Sequence, residues 1–228
     1  MGKVIILPET TKDPISLIGR RAGICWGADI TDASKNYKRG LDCIKCNHGR
    51  TLEYVNIEMI LNGYSAKVIR EYYTHLGGSP TRLQASTRYI DYSKGEGFNY
   101  ITPHTVEKNN LAKTEWDNLM KTINCTIYKF INEYNIPVED ATNMLPLAYS
   151  TKIVDKRNLR SFIDMSRQRE CSRAYWEYRE MFNDIKKALA DISDEWKYLI
   201  DTQFMPKCEY LGYCPERYSC GRKPKKED

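Results

Sequence analysis

Residues 74–90 carry the most informative pattern in the chain: Thr-His-Leu-Gly-Gly-Ser-Pro-Thr-Arg-Leu-Gln-Ala-Ser-Thr-Arg-Tyr-Ile. A helix is expected to end at the glycine pair, because glycine readily adopts the left-handed conformation that often follows a helix. The loop after it offers an amide, two hydroxyls and a guanidinium, from Gln84, Ser86, Thr87 and Arg88. Such groups can bind a planar, hydrogen-bonding ring that carries a phosphate. A polar surface turn has a similar composition, so the loop alone leaves both interpretations open.

A second informative segment is the helix predicted over residues 158–169. At about 100° per residue its apolar side chains fall on one narrow face. Arg160 and Asp164 fall on a different face, and Arg169 lies at the opposite flank of the apolar stripe. One interpretation is a solvated ion pair worth a few tenths of a kcal/mol. The other gives the helix two flanks that face ligands.

Both segments resemble the flavin-dependent thymidylate synthase family. Gln84, Ser86, Arg88 and Tyr89 match the second half of its signature without gaps. The first half, Arg-His-Arg in the family, keeps only its histidine, because Thr74 and Leu76 replace the arginines. Further along, Met-Leu-Pro-Leu at 144–147, the helix at 158–169 and Ala-Tyr-Trp-Glu-Tyr-Arg at 174–179 follow in the family's order. The resemblance covers roughly residues 48–185.

The resemblance implies roles for individual residues. Arg169 and Ser86 would be catalytic, with Arg169 helping to ionise the uracil ring. The residues implied to bind dUMP are Gln84, Ser86, Thr87, Arg88 and Arg169. Those implied to bind FAD are His75, Asn158, Arg160, Asp164, His48 and Thr51.

One of these residues, and one position outside the two sets, depart from the family. Asp164 stands where the family has an amide, and a carboxylate cannot donate a hydrogen bond. Thr142 stands where many relatives carry an arginine directed towards the nucleotide phosphate.

The implied fold is α+β, an antiparallel sheet flanked by helices, as in thymidylate synthase-complementing proteins. The implied reaction is the methylation of dUMP to dTMP without a protein nucleophile. Methylenetetrahydrofolate would supply the carbon, with FAD as cofactor and NADPH as reductant. The family forms homotetramers whose active sites are shared between subunits. The altered signature leaves open a related one-carbon transfer to another pyrimidine nucleotide.

Bulk composition is that of an ordinary globular enzyme. The 228 residues include 41% hydrophobic and 29% charged residues, with a net charge of +5. We expect one domain over residues 1–206, followed by a Cys-rich, basic tail over 207–228 that is loose from residue 223. No apolar run is long enough to span a bilayer and the start is unlike a signal peptide, so a cytoplasmic location without membrane association is expected.

A Cys-rich nucleic-acid-binding protein is the alternative from a different class. Against it, 35 basic residues are spread along the chain and balanced by 30 acidic ones.

The eight cysteines pose a separate question. Cys43 and Cys46 have metal-ligand spacing, and Cys208, Cys214 and Cys220 add three thiols near the end. Together they suggest a tetrahedral zinc site or a cluster. Spacings of five residues are unlike those of common zinc modules, so we expect no metal site.

Overall fold

Four strands form one antiparallel sheet in the computed structural model, which describes residues 2–226. The strands are β1 (Lys3–Ile6), β2 (Asn56–Ser65), β3 (Thr81–Gln84) and β4 (Ser150–Asn158). Their order across the sheet is β1-β2-β4-β3, so the last strand in sequence lies inside the sheet and β3 forms an edge. The predicted α+β class, an antiparallel sheet flanked by helices, is confirmed.

Eleven α-helices accompany the sheet in the described residues, together with a 3₁₀ turn at Thr142–Met144. The first seven are α1 (Pro14–Cys25), α2 (Ala33–Lys45), α3 (Gly49–Leu52), α4 (Ala66–Tyr72), α5 (His104–Glu107), α6 (Asn110–Asn132) and α7 (Val138–Ala141). The remaining four are α8 (Leu159–Arg169), α9 (Trp176–Ala190), α10 (Asp194–Gln203) and α11 (Lys207–Leu211). None of the helices in residues 2–226 combines the length and the apolar character that crossing a membrane requires.

Strand β2 buries alternate residues, Ile57, Met59 and Leu61, in the main core. Its pairing with β4 shifts register between Asn62 and Tyr64, where Gly63 has a φ of 80°. Asn-Gly is a dipeptide that usually predicts a turn, but Asn62-Gly63 is a bulge inside the strand. A bulge with a left-handed glycine changes which side chains face the core.

Ser65 connects β2 to α4. Its hydroxyl accepts a hydrogen bond from the backbone N–H of Val68, which caps the helix as the sequence predicts. The backbone N–H and the hydroxyl of Ser65 also donate to the carboxylate of Glu177 on α9, which is 3% exposed. One buried serine thus fixes the start of α4 and its position against α9.

Strand β4 carries a buried ion pair that the sequence analysis missed. The guanidinium of Arg157 donates to both carboxylate oxygens of Asp155, at 2.6 and 2.8 Å, and both side chains are fully buried. Tyr72 at the end of α4 donates its hydroxyl to the same carboxylate at 2.8 Å. Arg157 belongs to the strand, and Asn158 caps α8, so the predicted helix starts one residue later than expected.

Several expected elements differ from those observed. Residues 89–92 and 98–101 are rich in aromatic and β-branched side chains, a composition that predicts strands, but they form turns and coil apart from an isolated bridge between Tyr100 and Tyr149. Helix α4 ends at Tyr72, so Leu76 lies beyond the predicted apolar stripe and is 66% exposed.

The end of the chain is packed as far as it is described. Cys208 on α11 and Cys214 after it are buried, and Lys223 lies 2.8 Å from the carboxylate of Glu209. The ammonium of Lys225 also donates to the carbonyl of Arg217 at 2.7 Å, so Lys223 and Lys225 attach this expected loose segment to the rest of the chain. Residues 227 and 228 of that tail lie outside the described residues.

Candidate functional site

Arg169, the last residue of α8, is held by the end of α4. Its Nε donates a hydrogen bond to Nε2 of His75 at 2.8 Å. Its two terminal nitrogens lie 3.4 Å from the carboxylate of Glu71 and 3.3 Å from the hydroxyl of Thr74. These contacts engage all three nitrogens but only three of the five N–H donors, so the plane of the group is fixed while two donors remain available.

His75 can accept this hydrogen bond only when its Nε2 carries no proton. Burial, followed by the charges of Arg169 and Arg157, lowers the pKa of His75 to about 4. At neutral pH the ring is therefore uncharged and remains an acceptor. The structure thus brings together the implied FAD ligand His75 and the implied dUMP ligand Arg169.

Tyr178 on α9 forms the floor beneath Arg169. The centre of the guanidinium lies 4.8 Å from the centroid of the tyrosine ring, a cation–π contact. The tyrosine is wholly buried, and its hydroxyl has no hydrogen-bond partner among the described residues. Burial raises the pKa of Tyr178, so the hydroxyl stays protonated.

The loop that holds Ser86 and Arg88 lies at a different place, beside α7. Oγ of Ser86 accepts from the backbone N–H of Arg88 at 3.2 Å. Nε of Arg88 lies 3.0 Å from the carboxylate of Glu139, and both side chains are more than half exposed. Thr142 donates its hydroxyl to the carbonyl of Thr87 at 3.0 Å and is buried. Thr142 therefore anchors the loop, whereas the family's arginine is implied to face the phosphate.

Gln84 ends strand β3, so part of the segment expected as a loop is a strand. Its side-chain amide lies 3.4 Å from the hydroxyl of Thr151 on β4 and the residue is exposed. Within residues 2–226, neither a hydrogen bond nor an ion pair joins residues 84–88 to Arg169. The residues implied to bind dUMP thus fall into two groups within one chain.

Apart from His75, which contacts Arg169, the residues implied to bind FAD lie around α8 and α3. Arg160 and Asp164 line a cavity of about 170 Å³ together with Arg50 of α3 and Arg167. Arg160 also donates to the carboxylate of Glu53 at 2.7 Å. His48 is exposed in front of α3, and its carbonyl accepts from the hydroxyl of Thr51 at 2.7 Å.

Asn158 begins α8, and its side-chain oxygen accepts from the backbone N–H of Ser161 at 2.9 Å. Ser161 donates its hydroxyl to the carbonyl of Gly77 at 2.6 Å. A Cβ on Gly78, where φ is 74°, would collide with the amide of Asn158. Gly78 is therefore needed so that the segment after α4 can approach the start of α8 closely.

The five cysteines considered as metal ligands lie in two separate places. Cys43 and Cys46 lie at the end of α2. Cys208, Cys214 and Cys220 line a separate cavity of about 490 Å³ beside Arg169. Across residues 2–226, no three histidine, cysteine, aspartate or glutamate side chains are placed to hold one metal ion.

Sequence reasoning missed three residues of the Arg169 cluster: Glu71, Thr74 as a hydrogen-bond partner, and Tyr178. Glu71 precedes His75 by four residues, a spacing that would place both side chains on one face if α4 continued past Tyr72. Tyr178 lies inside the segment that resembles the family, but its burial beneath Arg169 depends on how α8 packs against α9. Of the three residues, only Glu71 is indicated by the local sequence.

Solved structures with the same fold define the class of protein. The chain superposes on a flavin-dependent thymidylate synthase from Helicobacter pylori, solved with FAD and dUMP, with a TM-score of 0.69 and 18% identity. The match covers 89% of this chain and 99% of that one. A UMP/dUMP methylase from Streptomyces cacaoi bound with 5-Br dUMP gives a TM-score of 0.71 at 13% identity, covering 90% and 96% of the two chains. The architecture is thus that of a thymidylate synthase-complementing protein.

Sequence comparison shows the family itself. The family model described as thymidylate synthase complementing protein matches residues 7–193. Flavin-dependent thymidylate synthase from Pyrococcus furiosus is 30% identical over 93% of this chain and 89% of its own length. The enzyme of that name from Nitratidesulfovibrio vulgaris is 28% identical over 94% of this chain and 92% of its own length. The chain belongs to the flavin-dependent thymidylate synthase family.

Proposed function

We propose that this protein methylates dUMP to dTMP, with FAD as its cofactor, methylenetetrahydrofolate as the carbon donor and NADPH as the reductant. The observation that carries the proposal is the fixed guanidinium of Arg169, placed at the end of the helix where the family resemblance expects it. Family membership favours this enzyme over the alternative of a nucleic-acid-binding protein.

Arg169 is suited to activating a uracil ring. Its guanidinium stays positively charged at any physiological pH, and a planar fork can face the edge of a planar anion. His75, Glu71 and Thr74 hold that fork before substrate arrives, so little reorganisation is needed when negative charge develops on the ring. The neutral state of His75 matters here, because a protonated imidazole would repel the arginine and could not accept its hydrogen bond.

The donor set between α3 and α8 fits a dinucleotide cofactor. Three arginines, Arg50, Arg160 and Arg167, line the cavity, and Asp164 is the one carboxylate in its lining. A cavity with this excess of positive charge suits a pyrophosphate. FAD bound there would supply the redox chemistry of the reaction. Arg160 would hold it by charge, while Asn158 keeps the start of α8 in place.

Arg88 has the properties of a phosphate ligand that is free to exchange partners. Its ion pair with Glu139 is exposed on both sides, and such pairs contribute little to stability. A phosphate can therefore replace the carboxylate at small cost and bind the guanidinium through two parallel hydrogen bonds. Ser86 and Gln84 would then donate to the pyrimidine from the same loop.

A site shared between subunits would reunite the two groups of dUMP ligands. Leu83 on the edge strand β3 and Tyr89 after the loop are 72% and 79% exposed in the single chain. Large apolar side chains exposed together favour coverage by another chain. We therefore propose a homotetramer in which residues 84–88 of one subunit approach Arg169 of another.

We place this enzyme in the cytoplasm, where its nucleotide and folate substrates are made.

Release of tritium from [5-³H]dUMP tests the function. The purified protein, supplied with FAD, NADPH and methylenetetrahydrofolate, should release tritium to water and form dTMP. Arg169→Ala should lower the rate by about 100-fold or more, because it removes a charge-stabilising donor. Arg20→Ala, an exposed arginine on α1, serves as the matched control and should keep the wild-type rate. A wild-type rate in Arg169→Ala would contradict the role of this residue, and no release by the wild type would contradict the reaction.

A one-carbon transfer to another pyrimidine nucleotide is the second candidate. It is favoured by the substitutions at Thr74, Leu76 and Thr142, which remove three positive charges that the family places near its ligands. A UMP/dUMP methylase has the same fold, which supports this second candidate. The rates of methylation of dUMP and UMP, measured in competition, decide between the two candidate reactions. Preferential methylation of UMP would select the second candidate.

A further inference from the structure

Four cysteines line the cavity of about 490 Å³ beside Arg169: Cys171, Cys208, Cys214 and Cys220. The same cavity is lined by Arg167, Arg169, Arg173 and Lys207, with Glu216 as its one acidic residue. Cationic surroundings favour the thiolate, which is the reactive form of cysteine. Nothing in the proposed methylation uses these thiols.

Two of the four thiols lie on segments that hydrogen bonds tie together. Two arginine side chains link the segment that connects α8 to α9 with the last part of the chain. Arg222 donates to the carbonyl of Glu170 at 3.5 Å, and Arg173 donates to the carbonyl of Tyr218 at 3.0 Å. In sequence, these two bonds flank Cys171 and Ser172 on the first segment and Cys220 on the second.

A third contact joins the same two segments. The pKa of the Cys220 thiol is lowered, first by a hydrogen bond from the side chain of Ser172 and then by the backbone N–H of Arg222. The sulfur of Cys220 therefore touches the residue next to Cys171. A tight turn, in which the backbone N–H of Gly221 donates to the hydroxyl of Ser219 at 3.1 Å, fixes the backbone around Cys220.

Accessibility separates this pair from the other two thiols in the cavity. Cys220 is exposed and Cys171 is half-buried, whereas Cys208 and Cys214 are buried. A small oxidant can reach the first pair without opening the structure. Because no three ligating side chains in residues 2–226 are placed to share an ion, chemistry between two thiols fits the arrangement better than a metal site.

We infer that Cys171 and Cys220 form a reversible disulfide, which ties the C-terminal segment across the connection that follows Arg169. The oxidant is a small-molecule disulfide such as oxidised glutathione. This inference concerns thiol chemistry alone and does not depend on the proposed methylation.

The reaction proceeds by two exchange steps. The thiolate of Cys220 attacks one sulfur of oxidised glutathione, the glutathione S–S bond breaks, and one glutathione thiolate leaves. The thiolate of Cys171 then attacks the Cys220 sulfur and releases the second glutathione. Two thiol protons end on the two glutathione molecules, and the protein has lost two electrons to them. Cys220 attacks first because it is the more exposed thiol and the one whose thiolate is stabilised.

The cross-link would hold one wall of the Arg169 cavity closed. Residues 218–222 form part of that wall, and the connection after α8 forms another part. In the reduced protein the two parts are joined by hydrogen bonds, one of them at the long limit of 3.5 Å, that can open separately. In the oxidised protein they would move only together.

Peptide mapping of the whole protein tests the inference. The wild-type chain is equilibrated in glutathione buffers of increasing potential, alkylated, and digested with trypsin without reduction. Trypsin leaves Cys171 on the peptide 170–173 and Cys220 on the peptide 218–222, whereas Cys208 and Cys214 share the peptide 208–217. The expected result is a cross-linked pair of the peptides 170–173 and 218–222, lost again on treatment with dithiothreitol.

Matched variants locate the reaction. Cys171→Ser should stop at a glutathione adduct on Cys220, since the resolving thiol is gone. Cys25→Ser and Cys125→Ser, which remove exposed cysteines on other surfaces, should leave the cross-link unchanged. The inference is overturned if wild-type protein accumulates only glutathione adducts, or if its cross-link joins other cysteines or two chains. It is also overturned if the four thiols resist alkylation until a chelator removes a bound metal.

Discussion

At the scale of single residues, the contact between Arg169 and His75 makes the site sensitive to acid. The pKa of His75 is lowered to about 4 from an ordinary value of 6.5. Between these values the unfolded chain binds a proton that the folded chain does not. The contribution of His75 to stability is therefore complete above pH 6.5 and is lost as the pH falls towards 4.

Urea unfolding between pH 7 and 4.5 measures this contribution. The wild-type free energy of unfolding should fall as the pH is lowered, and His75→Gln should show a shallower fall, because glutamine does not titrate. His48→Gln, which alters an exposed histidine, should keep the wild-type slope. Equal slopes for the wild type and His75→Gln would show that His75 is not held neutral by its surroundings. All measurements use one protein concentration, since subunit association shifts apparent stability.

The ion pair between Asp155 and Arg157 provides a second test at this scale. Asp155→Asn leaves a buried guanidinium without its counter-charge, and we expect a loss of about 3–5 kcal/mol in the free energy of unfolding. Glu53→Gln breaks the exposed pair with Arg160 and should cost less than about 1 kcal/mol. Denaturant midpoints of the two variants give the comparison. Equal losses of unfolding free energy in the two variants would mean that burial does not increase the contribution of the Asp155 pair to stability.

At the scale of elements, Ser65 controls the position of α4 and hence of His75. Ser65→Ala removes the cap of α4 and one hydrogen bond to the buried carboxylate of Glu177, with an expected loss of about 2–3 kcal/mol. Ser193→Ala is the matched control, because Ser193 caps α10 by the same bond to a backbone N–H but contacts no buried carboxylate. Its loss should be about 1 kcal/mol. Similar midpoints for the two variants would exclude a special role for the bond between Ser65 and Glu177.

The helices of this protein were easier to predict from the sequence than the strands. Apolar periodicity predicts a helix over 111–134, which agrees with α6 within two residues. The helix predicted over 158–169 agrees with α8 within one residue, because Asn158 marks its start locally. Strands β3 and β4 were missed. Buried positions of β4 hold Asp155 and Arg157, so the strand lacks the apolar alternation that identifies a half-buried strand.

The candidate site could be predicted only as separate parts. Family resemblance identified Arg169, His75 and the loop at 84–88, because motifs preserve chemistry in local order. The bond between His75 and Arg169 joins residues on different elements, and no local pattern encodes it. The contact between Thr142 and Thr87 could not be predicted either, because nothing in the sequence distinguishes a threonine with a buried, hydrogen-bonded hydroxyl from any other threonine.

At the scale of the whole molecule, mixing two inactive variants tests the shared site. Arg88→Ala and Arg169→Ala chains are co-expressed, and mixed oligomers are purified. If each site takes Arg88 from one subunit and Arg169 from another, about a quarter of the sites in random mixtures contain both wild-type arginines. Tritium release should then recover to about a quarter of the wild-type rate. Mixtures as inactive as either parent would place both arginines of a site on one chain.

The order of strands also bears on how the chain is made. Strand β2 pairs on one side with β1, which is synthesised before it, and on the other with β4, which emerges only after β3 and α6. A nascent chain on the ribosome must therefore keep one edge of an apolar strand unpaired while the whole intervening stretch is translated. Helices α1 and α2 can pack earlier, since Gly19 and Gly40 let their backbones touch directly. Slow translation between residues 66 and 149 would lengthen the time during which that bare edge can capture another nascent chain.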